Sequence, residues 1–193
     1  MNWANRLTVA RFFLTLLFVV SLSVPWHFAA STALVLFIVA GVTDYFDGEI
    51  ARRFGLVSDF GRLMDPLVDK IMIAAAFICL VEWKAMPGWV AVAIISREFL
   101  ITGLRLLAAS KGMVLPSERL GKHKTAWQIV TIVFFLALLA VPEIVGTGNL
   151  RDDGWWIGLR LYGGNALLVC ALALTLYSGF GYLWKHRALI EVR

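Results

Sequence analysis

Residues 12–43 read FFLTLLFVVSLSVPWHFAASTALVLFIVAGVT and contain no Asp, Glu, Lys or Arg. A membrane span takes about 20 apolar residues, so this run is too long for one helix and predicts two, folded back near Pro25-Trp26-His27. Outward from it, further apolar stretches cover 66–81, 87–109, 125–141 and 161–184, the second of them interrupted by Arg97, Glu98 and Arg105. The expectation is an all-α integral membrane protein with six transmembrane helices. Of the 193 residues, 60% are hydrophobic and 16% charged, whereas a soluble domain has about 25% charged residues. A typical soluble fold is therefore excluded. Neither a linker-like tract nor an internal repeat divides the chain, which predicts one membrane-embedded domain over 1–193.

The net charge of +5 takes its meaning from where the basic residues fall. With six spans, Arg6, Arg11, Arg52, Arg53, Arg62, Lys111, Arg119, Lys122, Lys124, Lys185, Arg187 and Arg193 lie at one membrane face, and Lys84, Arg151 and Arg160 at the other. That asymmetry is a topology signal rather than a nucleic-acid patch and predicts cytoplasmic termini. Residues 1–11 are too polar for a cleavable signal and predict a short interfacial helix with Trp3 as anchor. Cys79 and Cys170 fall inside spans without CxxC spacing, so they are expected to pack rather than to form a disulfide or hold zinc. His27, His123 and His186 are far apart and near span ends, where a solvated ring is expected rather than a metal ligand.

Between the second and third apolar stretches the chain carries Asp44, Asp47, Asp65 and Asp69. At about 100° per residue, Asp44, Asp47, Gly48, Ala51 and Arg52 share one helical face, and Asp65 and Asp69 share another. A charge within a span costs about 2.5–3.5 kcal/mol. The structural alternative is that the aspartates cap helices and pair with Arg52, Arg53, Arg62 and Lys70. Acidic pairs at these spacings nevertheless repel unless a cation or proton intervenes. A thiol-free, all-oxygen donor set favours a hard ion such as Mg²⁺ or Mn²⁺. Two such ions would neutralise four carboxylates and suit phosphoryl displacement. Gly48 and Ala51 leave room for a bulky ligand against the helix, or for close helix packing, and Arg52 is placed to clamp a diphosphate.

The pattern Asp44-x2-Asp47-Gly48-x2-Ala51-Arg52-x8-Gly61-x3-Asp65-x3-Asp69 resembles in full the signature of the CDP-alcohol phosphatidyltransferases. Three further stretches, Asn5-Arg-Leu-Thr8-Val-Ala-Arg11, Ser96-Arg97-Glu98 to Arg105, and Leu120-Gly-Lys122-His-Lys124-Thr125, look like the bacterial phosphatidylglycerophosphate synthases within that family. The resemblance implies the family's six-helix, usually homodimeric membrane fold in the bacterial inner membrane, with the active site cytoplasmic. It implies transfer of the phosphatidyl group of CDP-diacylglycerol to glycerol 3-phosphate with release of CMP. Asp44, Asp47 and Asp65 would hold one metal and Asp44, Asp65 and Asp69 a second, with Asp69 as general base. Gly48, Arg52 and Ser58 would hold the cytidine diphosphate, with Asn5, Thr8 and Arg11 closing over it.

The choice of acceptor rests on other residues. Arg97 and Arg105, eight apart, roughly share a face, and Lys122 approaches from the cytoplasmic side. These three cations would take the acceptor's phosphate, whereas choline or ethanolamine offers no such anion. The structural alternative pairs Arg97 with Glu98 and leaves the lysines against anionic lipid. Rival functions are a sister enzyme using inositol phosphate, phosphatidylglycerol or serine, a divalent-cation carrier with the aspartates as its path, and an inactive lipid-binding scaffold. The carrier gives no reason for Gly48, Arg52 or the cations at 97, 105 and 122.

Overall fold

The computed structural model describes residues 3–54, 59–110, 112–113, 119–146 and 153–185, with side chains excepted at 3–7, 44–54, 59–66 and 119–122. Every regular element among them is helical: α1 (Trp3–Ser23), α2 (Ala29–Phe54), α3 (Asp59–Glu82), α4 (Gly88–Ser110), α5 (Arg119–Val145), α6 (Gly154–Gly158), a π-helical turn (Leu159–Gly163) and α7 (Gly164–Lys185). The break near Pro25 falls where the sequence places it, since proline lacks the amide that a continuing helix needs. At the amino terminus the structure differs from expectation. Among the described residues no separate interfacial helix precedes the first apolar one, because α1 runs unbroken through Arg11, and that arginine is buried.

Cross-helix hydrogen bonds gather alternate helix ends. Trp83 Nε1 donates to the Leu22 carbonyl (2.9 Å), joining the ends of α3 and α1. Glu143, near the end of α5, caps the start of α2 by accepting from Ala30 N (3.0 Å), Ser31 N (2.8 Å) and Ser31 Oγ (2.8 Å). A carboxylate suits a helix amino terminus because the first-turn amides have no intrahelical acceptor and the dipole is positive there. α1 packs on α2 and α3, α2 on α5, and α7 on both α4 and α5. Gly164 permits the last of these contacts, since a Cβ there would meet Phe135 Cζ at 2.8 Å.

Helices α3 and α4 end alike. Ala85 N bonds to Leu80 O and Lys84 N to Val81 O (both 2.9 Å); Met113 N bonds to Ala108 O (2.9 Å) and Gly112 N to Ala109 O (3.0 Å). These are Schellman caps, whose left-handed position favours glycine. Gly112 has φ 73 there, but α3 places Lys84 at φ 53, a conformation costing about 1–3 kcal/mol for a residue with a side chain.

Burial is inverted relative to a water-soluble bundle. Val35, Ile78, Val92, Val169 and Phe180 are exposed, Val92 by 64%, while Arg11, Lys124, Gln128, Thr131, Thr175 and Ser178 are buried. An apolar core of Phe18, Phe37, Phe77, Leu80, Ile94, Ile132 and Leu136 lies beside this polar seam. Among the described residues two segments, His123–Val145 and Gly154–Lys185, are long and apolar enough to cross a membrane, and Thr8–Ser23 and Ala29–Thr43 form shorter apolar helices. Of the six stretches expected to do so, α4 is interrupted by Arg97, Glu98 and Arg105, and the described side chains of α3 begin only at Leu67.

Candidate active site

The polar seam starts on α3 at Asp69. Arg11 of α1 donates through Nη1 to Asp69 Oδ1 at 2.6 Å. The two side chains differ sharply in access, the arginine being 3% exposed and the carboxylate 46%. Arg11 is thus committed to the protein, while the acid keeps an open side. The resemblance implies Arg11 over the nucleotide; in the structure its guanidinium is hydrogen-bonded to Asp69.

One residue further, Lys70 turns toward α4 and donates to Glu98 Oε2 at 3.2 Å. Glu98 Oε1 also accepts from Arg97 Nη1 (3.3 Å) and Gln128 Nε2 (3.4 Å) and from the Lys124 ammonium. This carboxylate therefore collects three cations from α3, α4 and α5, leaving the group with two net positive charges. Its desolvation is offset because each of its oxygens is hydrogen-bonded. Asp69, Lys70, Ile73, Glu98, Thr125 and Gln128 enclose a polar cavity of about 180 Å³ between α3, α4 and α5.

Helix α7 supplies the outer wall of the seam. Gln128 Nε2 donates to Thr175 Oγ1 (3.0 Å), Arg97 Nη2 to Ser178 Oγ (2.9 Å), and Arg105 Nε to the Tyr182 hydroxyl (3.3 Å). The Arg105 guanidinium also lies 5.2 Å from the centre of the Tyr182 ring, within cation–π range. Thr175, Ser178, Gly179 and Tyr182 are one helical face by spacing. Gly179 matters to it, because a Cβ there would meet Arg97 Cγ at 2.8 Å and Nε at 2.9 Å.

On the other side of α3, Thr8, Phe12, Leu67, Val68, Ile71 and Phe99 line an apolar cavity of about 340 Å³. Val68 and Asp69 are adjacent, so one stretch of α3 borders both an oily and a charged recess.

Of the residues singled out in the sequence, the structure brings Arg11 to Asp69 and puts Thr8 at the apolar recess. Arg97 and Arg105 share a face, as their spacing predicts, but that face meets α7. Asp44, Asp47, Gly48 and Arg52 stand in the last turns of α2, Asp65 in α3, Asn5 in α1 and Lys122 in α5; their side chains lie outside the described residues, as does Ser58 altogether. Among the described residues no three potential metal ligands cluster, Asp69 being the one aspartate of the four whose side chain is described. Sequence reasoning missed Gln128, Thr175, Ser178, Gly179 and Tyr182. A signal existed for the first three: each is a polar side chain in an otherwise apolar run, and such groups face the bundle interior.

Against known proteins, a family model described as CDP-alcohol phosphatidyltransferase matches residues 1–177. A Bacillus subtilis protein named CDP-diacylglycerol–glycerol-3-phosphate 3-phosphatidyltransferase is 34% identical over 197 residues, covering 96% of this chain and 95% of its own. Proteins of the same name from Pseudomonas fluorescens (33% identical; 96% and 92% covered) and Rickettsia felis (32% identical; 94% and 93% covered) are similar to it over comparable lengths.

Proposed function

Because the chain belongs to the CDP-alcohol phosphatidyltransferase family, we propose that it transfers the phosphatidyl group of CDP-diacylglycerol to glycerol 3-phosphate, forming phosphatidylglycerol phosphate and CMP. The observation that carries this reading is the half-exposed Asp69 carboxylate on a small cavity that Glu98 also lines, because the three cations gathered on Glu98 leave two excess positive charges beside it. A phosphate monoester carries about −1.5 to −2 at neutral pH, so its charge matches that excess. The acceptor's phosphate would lie toward Lys70, Lys124 and Arg97, with Arg105 and Lys122 at the approach, and its glycerol hydroxyls toward Thr125 and Gln128.

Asp69 is placed to accept the acceptor hydroxyl's proton as that oxygen attacks the β-phosphorus, the one bonded to diacylglycerol, and CMP departs. No covalent lipid intermediate is needed. Arg11 would hold the Asp69 carboxylate in place for that step. The four aspartates offer oxygen donors alone, a set that fits Mg²⁺ or Mn²⁺; two ions held by Asp44, Asp47, Asp65 and Asp69 would supply charge stabilisation to the phosphoryl group. Gly48 would leave space beside α2 for the nucleotide, Arg52 and Ser58 would hold its diphosphate, and Asn5 and Thr8 would flank it from α1. The apolar recess at Thr8, Phe12 and Phe99 suits the acyl chains, whose burial there contributes about 25 cal/mol per Å².

The inverted burial supports a multi-pass membrane domain over 1–193, since lipid-facing surfaces must be apolar and backbone groups satisfied within helices. The arginine and lysine asymmetry supports cytoplasmic termini and active site, in the inner membrane of a bacterium, and the family resemblance supports a homodimer. A panel of acceptors given to purified enzyme with CDP-diacylglycerol and Mg²⁺ or Mn²⁺ tests the reading. Glycerol 3-phosphate should release CMP, and EDTA should stop it. Turnover with inositol phosphate, phosphatidylglycerol or serine but not glycerol 3-phosphate would move the chain to a sister activity, and turnover undiminished by EDTA would remove the metals.

A further inference from the structure

Roughly 20 Å along α3 from Asp69, at the opposite end of the bundle, a cleft of about 700 Å³ opens between the Trp83–Pro87 turn, α5 and the start of the last helix. Phe135, Leu138 and Trp156 form much of its wall, and Lys84, Arg160 and Asn165 supply its polar lining; among the described residues no carboxylate lines it. Arg160 Nη2 donates to the Lys84 carbonyl at 2.6 Å, so the guanidinium bridges the two sides of the cleft. That bond uses one of five N–H donors, and the arginine is exposed. Both cations occupy unusual backbone. Arg160 lies in the π-helical turn, a geometry frequent at functional sites, and Lys84 holds the left-handed position that the matching cap after α4 gives to glycine.

We propose that this cleft binds a phospholipid with an anionic headgroup, its phosphate on Arg160 and Lys84 and its acyl chains along Phe135, Leu138 and Trp156. Charge complementarity selects the headgroup: two cations, with no acid among the described lining residues, favour a net negative lipid, while a choline ammonium would be repelled. The apolar wall selects a lipid over a free anion, because inorganic phosphate leaves that wall uncovered. The site stands apart from the transfer chemistry and does not depend on the acceptor assigned above.

The full chain, purified in neutral detergent and delipidated, is titrated with phosphatidylglycerol or phosphatidylcholine of identical acyl chains and the bound lipid read by native mass spectrometry. Wild type should prefer phosphatidylglycerol. Lys84→Ala with Arg160→Ala should weaken that binding by roughly fivefold per cation removed, with phosphatidylcholine binding and CMP release unchanged. Comparing variant with wild type isolates the cleft from the catalytic end. Arg160→Lys should keep most of the preference, and Arg160→Gln alone replaces the double variant should that one fail to fold. Equal binding of the two lipids by wild type, phosphatidylglycerol binding unaltered in Arg160→Gln and the double variant, or displacement by inorganic phosphate alone would overturn the proposal.

Discussion

Replacing Gly179 by alanine sets a methyl carbon 2.8 Å from Arg97 Cγ and 2.9 Å from its Nε. Carbon atoms rest about 3.5–4.0 Å apart, so the arginine must retreat by roughly 0.7–1.2 Å. Its guanidinium holds Ser178 Oγ at 2.9 Å and Glu98 Oε1 at 3.3 Å, and a displacement of that size takes both beyond hydrogen-bonding range. A hydrogen bond to a charged group contributes about 1.5–3 kcal/mol, which at tenfold per 1.4 kcal/mol corresponds to a roughly ten- to hundredfold rise in acceptor KM. Overpacking costs about 1–3 kcal/mol, partly offset by the helix preference of alanine over glycine, about 1 kcal/mol. Folding should therefore survive. The assay is initial-rate CMP release in mixed micelles with glycerol 3-phosphate varied at saturating CDP-diacylglycerol, then the reverse, beside a circular-dichroism melt. The expected result is a raised KM for glycerol 3-phosphate, an unchanged KM for CDP-diacylglycerol and a melt within a few degrees of wild type. Ser178→Ala, which removes the same anchor without a clash, should move the same constant in the same direction. An acceptor KM unchanged in Gly179→Ala would refute the argument that Arg97, set by α7, serves the acceptor.

Asp69→Asn should reduce CMP release by about 10²–10⁴-fold, the usual weight of a general base, while CDP-diacylglycerol binding measured by equilibrium dialysis stays largely intact; wild-type turnover would take Asp69 out of the chemistry. Glu98→Gln leaves Lys70, Arg97 and Lys124 without their shared anion, and loss of one partner from a buried charge cluster costs about 3–5 kcal/mol. Its melting temperature should fall by roughly 10 °C, and an unchanged melt would mean that water already screens the cluster. Glu143→Ala removes the carboxylate that caps α2, at about 0.5–2 kcal/mol. Hydrogen exchange should quicken at the amides of Ala30 and Ser31, with activity preserved; unaltered exchange would show that the cap adds nothing to α2.

The signature aspartates and the apolar stretches were legible in the sequence because both are local. Helical spacing alone puts Asp44 and Asp47, or Asp65 and Asp69, on a common face, and proline with an interrupted hydrophobic run marks the turn near Pro25. The cations were legible as residues, but of their partners only Glu98 for Arg97 was, being its neighbour in the chain. Arg97 and Arg105 do share a face, yet whether it meets a ligand or another helix depends on α7, some 80 positions away in the chain. The family resemblance implies a nucleotide contact for Arg11, but its pairing with Asp69 joins residues 58 positions apart through the packing of α1 on α3.

The amino-acid order by itself determined that this chain is helical, apolar outside and carries its signature aspartates toward one end, since those properties follow from hydropathy, helical periodicity and the cost of charge away from water. Only the tertiary structure decided where each charge is neutralised. Lys70, Lys124 and Arg97 converge on Glu98 because α3, α4 and α5 pack together, and Gly179 admits Arg97 because α7 closes against α4. Such contacts join residues far apart in the chain through side-chain shape and distance, quantities that no local pattern carries.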